Sequence, residues 1–344
     1  MECRTENQVP YIAFNGIRVI HDRGYNPDAV RQPFKLIASN KRLLFALFAV
    51  TIVGASNRAS AQFTDPRNYG NSPIGVNQLE LSFAHVHANA SIDSSLIITG
   101  AKLDLNQGII DYTRYFGLFQ RLTWVEVGVP IAGLSGVVKG TAIHGSVTGM
   151  GDSSYQLGML LKGGPALDTV HFENYTPTTT LGLSLAITAP TGLYHGDKIL
   201  NLGSDRWSFK PEVALSYPFG PGQKWEFDAY ANAYFYTDNT SYHGRQLLRQ
   251  EPLPGLEGHI SYGFNERLWA SLDTRYSWRG MTSIDAISQN NPQRNFIWGS
   301  ELNISLNSRN SLVFEFAKAQ VHQNGPALVG FAVKYDYTWA KSHR

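Results

Sequence analysis

The chain has 344 residues, 29 Lys plus Arg against 27 Asp plus Glu, and a single cysteine, Cys3. So even a balance leaves no basic footprint for nucleic acid, and one cysteine excludes a disulfide-stapled domain. Aromatics reach 12%, with 17 Tyr, 18 Phe and 32 Gly, a profile that suits pleated strands.

Residues 1–40 are polar without a clear period and read as an N-terminal extension. No Met lies between Met1 and Met150, so a start at a non-Met codon near Val30 or Leu36 is expected, with a long leader as the alternative. Lys41 and Arg42 then precede the 13-residue apolar run 43–55, which Ala59-Ser60-Ala61 follows. A basic start, a short apolar stretch and an A-x-A exit make residues 41–61 a secretory signal peptide. The run is too short for a bilayer, which needs roughly 20 residues. Cleavage is expected between Ala61 and Gln62. Residues 1–61 hold 8 basic and 4 acidic residues, so the mature chain, 62–344, would carry 21 against 23 and no cysteine.

Beyond residue 62 the chain alternates apolar and polar residues in segments of about ten, the signature of an outer-membrane barrel strand. Trp225, Phe227, Ala229, Ala231, Ala233 and Phe235 oppose Glu226, Asp228, Tyr230, Asn232, Tyr234 and Tyr236. Val329, Phe331, Val333, Tyr335, Tyr337 and Trp339 oppose Gly330, Ala332, Lys334, Asp336 and Thr338. Twelve strands are expected, starting near residues 76, 108, 122, 153, 178, 206, 224, 256, 267, 295, 311 and 327. The fold class is therefore all-β, a transmembrane antiparallel barrel of about 12 strands and outer-membrane type.

Short connections near 117–121, 218–223, 265–266 and 307–310 alternate with longer ones at 130–149, 190–205, 237–255 and 280–294. Periplasmic turns and external loops alternate in this way. The link 163–177 breaks the rule by its length. Tyr217, Trp225, Trp278, Trp298, Tyr337 and Trp339 fit aromatic girdles near strand ends.

With apolar faces toward lipid, the opposite faces line the lumen. The acidic lining candidates are Glu80, Asp111, Glu126, Glu212, Glu226, Asp228, Glu257, Asp273, Glu301, Glu315 and Asp336. The basic ones are Lys210, Arg275 and Lys334, with His259 a further candidate. This excess predicts a preference for cations if the lumen is open, weakened when Glu226 and Asp228 are neutralised unless Lys210 pairs with one of them. Mutual pairing that rigidifies the barrel is the competing reading. Gly128, Gly158, Gly182, Ser184, Ala186, Gly299 and Ala332 are small, leaving room for a passage or for close backbone contact.

No phosphate-binding loop, H-E-x-x-H or G-x-S-x-G motif occurs. His85 and His87 share a strand face with no carboxylate nearby in sequence. Gly151-Asp152-Ser153-Ser154 and His195-Gly196-Asp197 read as turn chemistry. No catalytic, cofactor-binding or metal-binding residue is nominated, and no cofactor is expected.

The segments GVNQLELSFAHVHA at Gly75, RYFGLFQRLTWVEVGVPIAG at Arg114 and GMGDSSYQLGMLLKGGPAL at Gly149 resemble the meta-pathway phenol-degradation family of outer-membrane proteins. So do LSLAITAPTGLYHGDKILNLGSDRWSFKPEVALSYPFG at Leu183 and WEFDAYANAYFYTDN at Trp225. The resemblance spans about 74–339. It is most specific at Gly151-Asp152 and from Pro190-Thr191-Gly192 through Gly203 to Trp207. It implies a barrel in the outer membrane of a Gram-negative bacterium that admits hydrophobic solutes, and it brings no catalytic residue.

The expected function is a passive channel for small, aromatic or otherwise hydrophobic solutes. A structural or adhesive barrel with a plugged lumen is the alternative, and an outer-membrane lipid hydrolase a more distant one. Expected partners are outer-membrane lipid, the solute and the barrel-assembly machinery, and not nucleic acid. Ala231→Arg is expected to reduce barrel stability or assembly far more than Asn232→Arg.

Overall fold

The computed structural model describes residues 64–89, 101–138, 144–198, 200–324 and 327–340. The leader, the signal segment and its cleavage site at Ala61 and Gln62 lie outside them. The strands in chain order are β1 (Val76–Ala88), β2 (Ala101–Leu118), β3 (Arg121–Val138), β4 (His144–Met150), β5 (Ser153–Lys162) and β6 (Thr180–Ala189). They continue with β7 (Ser208–Phe219), β8 (Trp225–Tyr236), β9 (Asn239–Tyr242), β10 (Gln246–Gln250), β11 (Leu253–Asn265) and β12 (Leu268–Arg279). The last are β13 (Thr282–Ile284), β14 (Ile287–Ser288), β15 (Gln293–Ser305), β16 (Asn310–Gln323) and β17 (Leu328–Ala340).

Each wall strand pairs antiparallel with its neighbour, and β1 pairs with β17 along its whole length, from Val76 opposite Ala340 to Ala88 opposite Leu328. The sheet therefore closes on itself, with β4 alone pairing on one side only. β4 and β5 both pair with β3 and together make one interrupted wall strand, so the barrel has twelve. β9, β10, β13 and β14 form a small separate sheet from two long connections.

Two starts differ from the sequence expectation. The second strand begins at Ala101, and the fourth is preceded by β4, so the expected loop 130–149 is mostly tall wall. Pro130 suggested a break because proline cannot donate to a ladder. It lies opposite the gap between β4 and β5, where its carbonyl accepts from Gly151 N at 2.9 Å, and it has no N–H to leave unpaired there.

The outer face is apolar, as the alternation requires. Leu81, Phe83, Ile110, Leu183, Val213 and Leu272 are exposed, while Glu212, Asp228, Glu257 and Asp273 on the opposite faces are buried. Rings run along the end carrying the short turns: Tyr217 to Phe219 (5.8 Å), Phe219 to Trp225 (6.2 Å), Trp225 to Tyr262 (4.7 Å) and Tyr337 to Trp339 (5.5 Å). This is an aromatic girdle, with Tyr276 and Trp278 stacked toward the other end. Trp298 departs from expectation: it sits in mid-β15 and packs on Phe316 at 5.2 Å.

The long link 163–179 contains a single turn, α1 (Thr169–Phe172), capped by Asp168. Hydrogen bonds from His171 N and Nδ1, both 2.8 Å, hold the Asp168 carboxyl below its usual range. This link braces the chain entering β1: Ile74 N donates to Leu167 O at 2.8 Å, and Asn71 Nδ2 to Pro165 O at 3.2 Å. Its length serves that contact and breaks the short-turn pattern for that reason.

Candidate functional site: the lumen

The strand alternation that puts leucines outside puts carboxylates inside. Glu80, Asp111, Glu126, Lys210, Glu301, Lys334 and Asp336 line an internal cavity of about 220 Å³. Glu212, Asp228, Glu257, Asp273 and Arg275 are buried on the same inner face, as is His259, while Glu226 and Glu315 are nearly so.

Sequence reasoning did not anticipate what occupies the lumen. Residues 64–72 turn back from the start of β1 into the barrel, where Thr64, Arg67, Tyr69, Asn71 and Ser72 are buried. Tyr69 donates its hydroxyl to Glu212 at 2.8 Å and lies 2.6 Å from Ser184 Oγ. Its ring meets Trp124 at 5.4 Å and Tyr230 at 5.2 Å. Thr64 N donates to Glu257 at 2.8 Å, and Lys334 Nζ to Asp65 at 2.6 Å. Arg67 N donates to Asp228 at 3.0 Å and Arg67 Nε to Ser261 Oγ at 2.7 Å, with Glu226 3.7 Å away. Arg67 has φ 63°. A left-handed backbone costs a non-glycine residue about 1–2 kcal/mol, and the bonds from its N–H and guanidinium offset that. Such over-determination marks a segment held in one place.

Several inner-face expectations change accordingly. Lys210 pairs with Glu212 at 3.2 Å and donates to Thr64 Oγ1 at 2.8 Å; it does not reach Glu226 or Asp228, which hold Arg67. Arg275 pairs with Glu257, and His259 Nδ1 lies 2.9 Å from Asp273. The room left at Gly182 goes to the Tyr69 ring, which a Cβ there would strike, and Gly158 makes the same room for Trp124. Asn232 donates to Glu212 at 2.8 Å and to Glu257 at 2.7 Å, inside a packed network where an Arg side chain does not fit. Asn232→Arg should therefore disturb this network, as Ala231→Arg disturbs the outer face.

Toward the loop end one side of the lumen is apolar, while Ser277, Gln293 and Asn295 are buried polar residues on the inner face of β12 and β15 at that end. Val86, Leu105, Leu134, Ile297 and Leu328 form one buried cluster with alanines of β1, β3 and β16, and Val147, Leu200 and Leu202 pack against it. Leu200 and Leu202 come from the long connection 190–207, which Asp152 ties to the wall. Its carboxylate accepts from Gly192 N (2.8 Å), Ser204 N (2.8 Å) and Ser204 Oγ (2.7 Å). Gly192 has to be glycine, because a Cβ would sit 2.7 Å from Asp152 N. Gly151-Asp152 is thus a break in a wall strand that clamps a distant loop, not the turn the sequence suggested. His195-Gly196-Asp197 is a turn, closed by Lys198 N to His195 O at 2.9 Å.

A hydrogen bond to a charged acceptor is worth about 1.5–3 kcal/mol, so Asp152→Ala should free 190–207. Amide exchange at 192–204 should then accelerate at least tenfold relative to the wall strands; unchanged protection would show that the leucines alone hold the loop.

His85 and His87 point outward at the loop end and are bonded to Asn106 and Asp104, each at 2.8 Å. A carboxylate does therefore stand beside His87, supplied by the neighbouring strand.

With Glu226 and Asp228 engaged by Arg67, an ion preference of an open lumen would fall to the carboxylates facing the cavity. Glu80→Gln with Asp111→Asn should lower the cation-to-anion permeability ratio. Reversal potentials across a salt gradient measure this, and an anion preference in the unaltered protein would mean that another constriction controls selectivity.

No curated protein matches the chain in sequence. Among solved structures, an outer membrane channel from Pseudomonas putida F1 is similar, with a TM-score of 0.68 at 21% identity over 80% of this chain and 100% of that one. The β domain of the Bordetella autotransporter BrkA has a TM-score of 0.47 at 9% identity over 77% and 100%. The first likeness supports the barrel fold and does not itself carry a substrate. A family model described as "Putative MetA-pathway of phenol degradation" matches residues 87–335, and with the greater part of the barrel inside that match, the chain belongs to this family.

Proposed function

We propose that this chain is an outer-membrane channel that admits small, poorly water-soluble solutes, aromatic ones among them. The observation that carries the reading is the apolar side of the outer lumen, built from Val86, Leu105, Leu134, Ile297 and Leu328 with Leu200 and Leu202. A pore serving hydrated ions gains nothing from apolar walls, whereas an apolar solute is stabilised on entering them. The family description, with its reference to phenol degradation, supports the same solute class. In this reading the leucine-rich outer band lies in outer-membrane lipid and the barrel-assembly machinery inserts it.

The test is uptake of 1-naphthol by vesicles with a lipopolysaccharide outer leaflet, with and without the protein. Faster uptake with the barrel present is expected. The buried segment 64–72 favours a second reading, a structural barrel with a plugged lumen; no gain in uptake and no ionic conductance would establish it and defeat the channel.

Processing after Ala61 belongs to the same reading. Thr64, two residues after the expected new N-terminus, is buried inside the barrel. N-terminal sequencing of protein from outer membranes should begin at Gln62 or within a few residues of it, and recovery of residues 1–40 would overturn the export model.

A further inference from the structure

Two polar groups of residues lining the internal cavity have no hydrogen-bond partner among the described residues. Trp269 on β12 and Asn303 on β15 both line it and are 3% and 2% exposed. Trp269 Nε1 and Asn303 Oδ1 make no hydrogen bond among the described residues, although buried polar groups are nearly always satisfied. The two residues are direct partners in the β12–β15 register, which places their side chains side by side on the inner face. One group is a donor only and the other an acceptor. A hydroxyl matches that pair, because its oxygen accepts while its proton is donated.

The surroundings narrow the class. Cavities of about 150 Å³ take up benzene, so 220 Å³ admits one substituted ring. Ile109 and Val313 supply apolar contact, while Glu80, Asp111 and Glu301 oppose an anion. Lys334 does not relieve this, being engaged by Asp65 and Glu315. The Arg67 guanidinium lies 4.9 Å from the Trp269 ring centroid and holds the ring in place from the buried N-terminal segment.

We propose that Trp269 and Asn303 form a hydroxyl-recognition subsite that takes neutral alcohols and phenols of single-ring size and rejects carboxylates of the same shape. Trp269 Nε1 donates to the hydroxyl oxygen, and the hydroxyl donates to Asn303 Oδ1. This rests on the channel reading above for its place on a solute path, and extends it from hydrophobic solutes in general to those carrying a hydroxyl.

The test uses the full barrel, labelled with 5-fluorotryptophan, in detergent. The Trp269 resonance is assigned by its loss in Trp269→Phe. Titration with 4-methylphenol should shift that resonance saturably. 4-Methylanisole, which accepts but cannot donate, should need about five- to tenfold more ligand, the loss expected for one hydrogen bond. 4-Methylbenzoate should leave it unmoved. Asn303→Leu should raise the 4-methylphenol midpoint by the same factor, and the anisole comparison decides the matter if that variant does not fold. No saturable shift, equal midpoints for phenol and anisole, or an equal response to 4-methylbenzoate would each show that water alone satisfies the pair. Naphthol uptake measured in parallel separates the two readings: uptake without the Trp269 shift overturns the subsite and leaves the channel, and the shift without uptake does the reverse.

Discussion

Arg67→Ala combined with Tyr69→Ala should raise single-channel conductance several-fold. These two side chains tie residues 64–72 to five consecutive wall strands, β6 to β12: Tyr69 to Ser184 and Glu212 on β6 and β7, Arg67 to Ser261 on β11 and over Trp269 on β12. Replacing a buried aromatic ring by Ala costs roughly 3–5 kcal/mol. That cost falls on docking of the segment, because the wall keeps its own ladder of backbone hydrogen bonds. Tyr69→Phe retains the ring and its packing on Trp124 and Tyr230 while losing the bond to Glu212, so a smaller rise is expected. Planar-bilayer recordings decide it. Equal conductance for the double variant and the unaltered protein would mean that another element sets the narrowest point, with the apolar outer cluster the next to test. The substitution should also widen the range of solutes taken up, since the ring now occupies the space opposite Gly182.

Ala231→Arg should abolish or severely reduce assembly, whereas Gln156→Arg should be tolerated. Ala231 is exposed on the outer face of β8, opposite Val213 on one neighbour and Leu256 on the other, both exposed to the same side. An arginine at a lipid-facing mid-membrane position costs about 2–4 kcal/mol, a large share of the stability of a barrel of ordinary size. Gln156 faces the cavity beside its partner Glu126, where a guanidinium finds open space and an opposite charge. The fraction of folded, heat-modifiable protein after refolding into lipid vesicles measures both. Equal loss in the two variants would show that the outer face of β8 is not in contact with lipid.

Much of the wall was legible in the sequence because a barrel strand obeys a local rule. Side chains alternate with a period of two, and closure in lipid demands that one set be apolar. Trp225 to Tyr236 can therefore be assigned to faces with no knowledge of its neighbours, and the structure has those faces as expected. The same rule placed every charged lining candidate on the inner side. It failed at β3 and β4, where glycines and Pro130 looked like loop, because what makes them wall is the facing break at Gly151 and Asp152 and the leucines of a connection more than forty residues further on.

What the charges do once inside was decided by tertiary structure alone. Alternation says that Glu212, Glu226 and Asp228 point inward; it says nothing of what they meet there. Residues 64–72 carry no period, since the segment is held by individual hydrogen bonds and not by a repeating face, and so nothing in their order marks them as lumen filling. Asp152 to Gly192 and Ser204, and Trp269 beside Asn303, are likewise contacts between residues tens of positions apart in the chain. Local propensity determines faces and turns over a few residues, whereas these pairings are set by the register between neighbouring strands, which the sequence leaves free.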